Sequence, residues 1–224
     1  MSEHEPTRRE RSRRRTVAEI KAAAMDQVRE AGAESLSLNA IGRTMAMSAA
    51  ALYRYFDGRD ELLAELAADV HRELACALEV AVRGGSAAAR VRSVANAYRD
   101  WALANPHAYR LAHGPHGSGR HHAADRIVPA AQRSMNVLLA VVVEVGEPTG
   151  APVPAELERQ IRRWKSDLPV AVLHFGLVWW GRLHGLISLE LGTHLAATGV
   201  DPALLYQGEI DALLAGLRHP TPSA

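Results

Sequence analysis

A chain of 224 residues with 48% hydrophobic and 23% charged residues has the composition of an ordinary globular protein, of a size for one large domain or a small one feeding a larger one. Aromatics at 5%, 17 Gly and 11 Pro, with no repeating period, exclude collagen-like, repeat-built and wholly disordered chains. The single cysteine, Cys76, cannot close an intrachain disulfide; this excludes a disulfide-stapled secreted scaffold and fits a reducing, cytoplasmic setting.

Met1-Ser2-Glu3-His4-Glu5-Pro6 offers no apolar stretch ahead of a small-residue cleavage site, so no secretory leader is expected. Leu168 to Leu191 is the most apolar stretch, but it is interrupted by Pro169, His174, Arg182, His184 and Glu190. That composition predicts a buried helix and no membrane partner. The formal net charge is only +1, yet six arginines lie between Arg8 and Arg15 against the lone Glu10. Such a run reads either as a solvated, disordered tail or as an arm for an acidic polymer.

The elements that follow decide between these readings. Thr16 with Glu19 has capping-box spacing and predicts a helix start; Val17, Ile20, Ala24 and Val28 share a face, and Gly32 ends the helix near Ala31. Ser37 caps a second helix with Leu38, Ile41 and Met45 on one side, running to about Met45. Ser48 caps a third, Ala49 to Phe56, in which Leu52 and Phe56 face inward while Ala49, Ala50, Tyr53 and Arg54 face outward. Two short helices with so tight a turn, the second with a small-residue start, have the shape that enters a major groove. Asp57-Gly58 breaks the pattern, and Arg59 opens a long helix carrying Leu62, Leu66, Val70, Leu74 and Leu78.

The run from Ser37-Leu38-x-x-Ile41 through Ser48-x-x-Ala51-Leu52-Tyr53-Arg54-Tyr55-Phe56-x-Gly58-Arg59-x-Glu61-Leu62-Leu63 resembles the DNA-binding domain of the TetR family of bacterial transcription regulators, over roughly residues 16 to 75. The resemblance implies an all-α homodimer that binds double-stranded operator DNA and usually represses, releasing the DNA when a small molecule binds its C-terminal domain. It also implies DNA contacts from Tyr53, Tyr55 and Asn39, and from Arg59 to phosphate at a helix start. Ser37, Arg43, Ser48 and Arg54 complete the candidate set; Ala49 and Ala50 offer only methyl contacts to thymine. The arginine arm is expected in the adjacent minor groove or along phosphates. Two positions depart from the family's habit: Gly42 stands where Ala is usual, and Ala46 where the turn often has Gly.

Beyond residue 83 the pattern stays helical: Ala87 to Ala104, Pro106 to His113, about Ala123 to Val145, Ala155 to Lys165, Pro169 to Leu191 and Pro202 to Leu217, with a linker over Gly146 to Pro154. The run Trp179-Trp180-x-x-x-His184-Gly185-x-x-Ser188-Leu189-Glu190 resembles the penultimate helix of a TetR subfamily named for a Trp-His-Gly signature. The resemblance implies that the last two long helices of each subunit form a four-helix dimer interface, and Gly181 and Gly185 would allow a close crossing. Tyr98, Trp101, Tyr109, Met135, Trp164, Phe175, Trp179 and His184 are the candidate lining of an effector pocket, although side chains of this kind at helical spacing are more often plain core.

The expected organisation is a basic disordered arm over 1–15, the DNA-binding domain over 16–75, an effector-binding and dimerisation domain over 76–218, and a disordered tail over 219–224. His107, His113, His116, His121 and His122 raise a metal-responsive alternative, but the glycine-rich loop among them argues against a fixed ligand set, so no metal or other cofactor is expected. A helical interaction module without DNA binding is the other alternative. No Gly-x-Ser-x-Gly elbow, phosphate-binding Gly-Lys-Ser/Thr loop or His-Glu-x-x-His motif is present, and an enzyme is not expected.

Overall fold

The computed structural model describes residues 7–114, 120–149, 151–165 and 167–218, without the side chains of residues 49, 120–124 and 218. Ten α-helices, two short 3-10 turns (Ala33–Ser35 and Ala196–Thr198) and one two-residue strand pair are the regular elements of the described residues, as an all-α reading requires. The residues form two compact units: one comprises the chain up to Arg72 with Asn105–Ala131, the other Glu73–Ala104 with the chain from Gln132 onward. Two helices belong to both by continuity of the chain, α4 (Arg59–Ala81) and α7 (Arg120–Val145).

The first unit is built on α1 (Arg8–Ala31), which packs against α2 (Leu38–Thr44) and α6 (Pro106–His113). Ile20, Ala24 and Val28 of α1 are buried with Ile41, Leu52, Phe56, Leu62 and Leu66, the apolar set that the 3- and 4-residue spacing predicts. Gly32 stops α1 at φ +83°, a conformation that costs a residue with a Cβ about 1–2 kcal/mol.

Helix α1 does not start at Thr16. The Thr-x-x-Glu spacing occurs twice, and the earlier copy forms the capping box: the Glu10 backbone N–H donates to the Thr7 hydroxyl (3.2 Å) and the Thr7 N–H to the Glu10 carboxylate (2.7 Å). In the later copy the Thr16 hydroxyl donates back to the Ser12 carbonyl (3.1 Å), while Glu19 pairs with Arg15 (2.8 Å). Arg8 to Arg15 are therefore two turns of helix, where a disordered arm was expected.

Helix α3 is also shorter than expected. It spans Ala49–Leu52, and Tyr53, Arg54 and Tyr55 continue as a turn in which the Tyr55 N–H donates to Leu52 O (2.9 Å) and the Arg54 N–H to Ala51 O (3.4 Å). Such i→i+3 bonds tighten a last helical turn, here while the chain carries Phe56 into the core.

In the second unit, α9 (Val170–Leu191) packs against α5 (Ala87–Ala104), α8 (Ala155–Trp164) and α10 (Pro202–Ala215). Arg99 donates twice to the Glu190 carboxylate (2.8 and 2.6 Å), and the buried Tyr206 hydroxyl donates to Ala95 O (2.7 Å). Strand β1 (Glu147–Pro148) pairs antiparallel with β2 (Leu217–Arg218), so the expected linker and the end of the last helix are joined by a pair too short to carry a sequence pattern.

The expectation that Leu168 to Leu191 is a buried helix holds for one face. Val172, Leu173, Trp179, Leu183 and Ile187 are buried, but Val178 and Leu189 are exposed. By length and composition, α9 and the segment Asp125–Val145 of α7 are apolar enough to cross a membrane, with 39% and 33% of the respective windows buried within the chain.

Candidate nucleic-acid interface

The turn between α2 and α3 depends on the two residues that depart from the family's habit. Ala46 sits at φ +52°, a left-handed conformation that costs an alanine roughly 1 kcal/mol. The Met47 N–H donates to the Gly42 carbonyl (2.8 Å), and a Cβ on Gly42 would lie 2.8 Å from Met47 O. Gly42 thus admits a close backbone approach, and the hydrogen bond across the turn offsets part of the strain at Ala46.

Three polar anchors hold the start of α2. The Ser37 hydroxyl accepts from the Ala40 N–H (3.3 Å), and the Ser37 N–H donates to Gln27 Oε1 of α1 (2.9 Å). The third is Arg59: its Nη2 donates to Ala33 O (2.7 Å) and its Nε to Leu36 O (3.2 Å), with Glu34 and Asp60 carboxylates at 3.7 and 3.8 Å. Arg59 is therefore turned onto the loop that presents α2. Gln27 gave no signal in the sequence, because a polar residue on the flank of an amphipathic helix looks like any solvated one.

Around this frame Asn39 and Arg43 of α2, Ser48 and Ala50 at the head of α3, and Tyr53 and Arg54 after it are exposed. Tyr53 is the most open large apolar side chain of the group, at 55%. The Ser48 hydroxyl accepts from the Ala51 N–H (3.2 Å), which caps α3 as expected. Tyr55 is half-buried, with the Arg13 guanidinium 5.1 Å over its ring, and Arg13 Nη1 donates to Arg54 O (3.2 Å). The side chain of Ala49 lies outside the described residues.

The candidate effector residues are divided between the two units. Tyr109 belongs to the first unit, buried on α6 with its ring 4.5 Å from that of His113, and the other seven belong to the second. Only Phe175 and Trp179 line the described cavity of that unit, about 700 Å³ between the loop after β1, α9 and α10, whose walls include Pro152, His174, Arg182 and Glu209. Tyr98 is core, Trp101 and Met135 are half-buried, and Trp164 is exposed at the end of α8. His184 stacks on Trp180 with ring centroids 5.4 Å apart, and burial lowers its pKa. Trp179 Nε1 is the one buried side-chain polar atom among the described residues without a hydrogen-bond partner.

Of the histidines, His107 lies against Gly32, and His113 has its ring 5.5 Å from that of the buried His71, which bonds Ala112 O (3.2 Å). His116 and the side chains of His121 and His122 lie outside the described residues. Among the described residues no three His, Cys, Asp or Glu side chains are grouped to hold a metal.

Comparison with known proteins agrees with this geometry. Residues 20–66 match the family described as "Bacterial regulatory proteins, tetR family", and residues 91–213, more than half of the chain, match "Tetracyclin repressor-like, C-terminal domain". The chain is 30% identical to the HTH-type transcriptional regulator Rv1816 of Mycobacterium tuberculosis (strain ATCC 25618 / H37Rv), over 94% of this chain and 95% of that one, and equally to Mb1846 of Mycobacterium bovis. A solved structure carrying the name regulatory protein SCO4313 superposes with a TM-score of 0.74 at 37% identity, covering 93% of this chain and all of that one. A tetR-family regulatory protein from Rhodococcus RHA1, at 17% identity and a TM-score of 0.57, covers 92% of this chain and 98% of that one and shares the fold. With its exposed α2–α3 surface at one end of the sequence and its helical C-terminal domain at the other, the chain belongs to the TetR family and is a DNA-binding transcriptional regulator.

Proposed function

We propose that this regulator works as a homodimeric repressor in the cytoplasm, held on a near-palindromic operator and released by a small-molecule effector, with no catalytic step. The observation that carries the DNA half is the α2–α3 surface: Asn39, Arg43, Ser48, Ala50, Tyr53 and Arg54 stand exposed on a frame of buried Ile41, Leu52 and Phe56. In this reading Asn39 and Arg43 meet base edges, Ala49 and Ala50 meet thymine methyls, and Ser37, Ser48, Tyr53, Arg54 and Tyr55 meet the backbone. Arg59 acts through the Ala33 and Leu36 carbonyls that it holds, so its contribution is to place α2.

The dimer half is supported by the outward faces of α9 and α10. Val178, Leu189, Leu204 and Leu205 are exposed, Leu204 by 71%, and apart from the adjoining residues and the helix's own backbone no described atom comes within 4 Å of where a Cβ on Gly181, Gly185 or Gly208 would stand. An apolar stripe with small residues at its crossing points suits the same stripe of a second copy, related by a two-fold axis. The effector is placed at the cavity walled by Phe175, Trp179, Arg182 and Glu209, an apolar site with one ion pair (3.0 Å), suited to an apolar molecule with a polar end. The continuous helices α4 and α7 carry the change to the DNA-binding unit, and release requires tighter effector binding to the DNA-incompetent state, by about 1–3 kcal/mol of coupling.

Selection from a pool of random duplexes by the full-length protein tests the reading. A near-palindrome retained by two chains is expected; retention without any common sequence would overturn it.

A further inference from the structure

The six arginines near the start of the sequence are expected as a flexible arm, yet they form helix. Thr7 and Glu10 close the capping box of α1, so Arg8, Arg9, Ser12 and Arg13 fall at i, i+1, i+4 and i+5 and share one face. That face and the turn after α3 bound a groove of about 690 Å³, lined by Arg8, Arg9, Ser12, Arg13, Arg54 and Tyr55. No carboxylate is among its described lining residues: Glu10 accepts from Thr7, and Glu19 is paired with Arg15. Arg13 ties the two walls together through Arg54 O and the Tyr55 ring.

We propose that this groove is a binding site for backbone phosphates of duplex DNA, lying outside the base pairs that α2 and α3 read, with Arg8, Arg9 and Arg54 as the phosphate ligands and Arg13 as the positioning residue. The proposal rests on the DNA-binding reading and extends it from Arg54 and Tyr55, at the edge of the α2–α3 surface, to the first two turns of α1. Guanidinium forks match phosphate oxygens in pairs, and four of them around one groove, with no carboxylate among its described lining residues, select a polyanion. The helical state decides against the minor groove: a helix with side chains is about 10–12 Å across, whereas that groove in B-form DNA is about 6 Å wide. A preformed helix can lie along the sugar–phosphate rim and cannot enter it.

The test compares wild type, Arg8→Gln/Arg9→Gln and Arg8→Lys/Arg9→Lys by fluorescence anisotropy on the selected operator and on a random duplex of equal length, across a salt series. Each phosphate neutralised contributes about 0.9 to the log–log salt slope, so the glutamine pair is expected to lower the slope by about 2 per bound chain. The loss should be alike on both duplexes, the lysine pair should keep the slope, and thermal melting should be unchanged. An unaltered slope in the glutamine pair would overturn the proposal. So would a loss confined to duplexes with A·T-rich flanks and mimicked by a minor-groove drug, because that is minor-groove reading. A wild-type chain that binds neither duplex would instead remove the DNA reading itself, and the groove with it.

Discussion

Gly42 and Arg59 show how single side chains set the reading surface. A methyl at position 42 would press on the Met47 carbonyl at 2.8 Å, and main chain cannot yield as a flexible side chain does. Gly42→Ala, the residue usual in the family, is expected to destabilise this chain by about 1–3 kcal/mol, read as a lower denaturation midpoint; an unchanged midpoint would contradict the account. For Arg59, both hydrogen bonds go to carbonyls. Arg59→Gln should therefore lower the melting temperature and weaken operator binding while leaving the salt slope within about 0.5 of wild type, since a lost phosphate contact would cost about 0.9. The sequence marks Arg59 as basic at a helix start, but which oxygens it meets depends on the path of Ala33 to Leu36, and no spacing rule encodes that. His184 gives a pH dependence. Burial lowers its pKa from 6.5, so the unfolded chain holds more protons once the pH falls below about 6.5; stability is complete above that value and declines as the pH falls toward the folded pKa. His184→Asn should flatten the melting temperature between about pH 5 and 7, and an identical pH profile would contradict this.

Helices α1, α3 and α9 show what periodicity reveals and what it leaves out. Apolar spacing located the buried face of α1 and its stop at Gly32, because burial and the left-handed stop are local properties of the sequence. It missed the start, because two Thr-x-x-Glu spacings compete, and in the later one Glu19 pairs with Arg15 four residues before it on the same helix. The short α3 was missed for a related reason: inward Leu52 and Phe56 fit a helix of eight residues and also a helix of four followed by a turn. In α9, apolar composition nearly all round signalled burial, but one chain covers only one face. Leu204→Glu on α10 and Val178→Glu on α9 place charges on the uncovered stripes. Each is expected to shift the protein toward monomers in sedimentation and to weaken operator binding at least tenfold, with helicity retained. A dimer of unaltered stability in both variants would mean that these faces do not form the interface.

At the scale of the whole molecule, α4 and α7 continue from one compact unit into the other, and in the proposed reading they link DNA binding to effector binding. The all-α class and the helix-turn-helix were legible from caps, breaks and spacing. That Phe175 and Trp179 line a cavity of the second unit was not legible beforehand, because a pocket depends on how helices cross and side-chain size says little about that. The central claim is that two α2–α3 surfaces, held by one dimer, read successive major grooves about 34–36 Å apart. The most direct measurement is the affinity for the selected operator with and without five base pairs inserted at its centre, which rotates one half-site by about half a helical turn. The account predicts at least a hundredfold loss, not recovered when the insert is lengthened to ten base pairs, because that restores the facing of the half-sites but sets them about 34 Å further apart than one dimer holds its surfaces. Equal affinity for all three duplexes would contradict it.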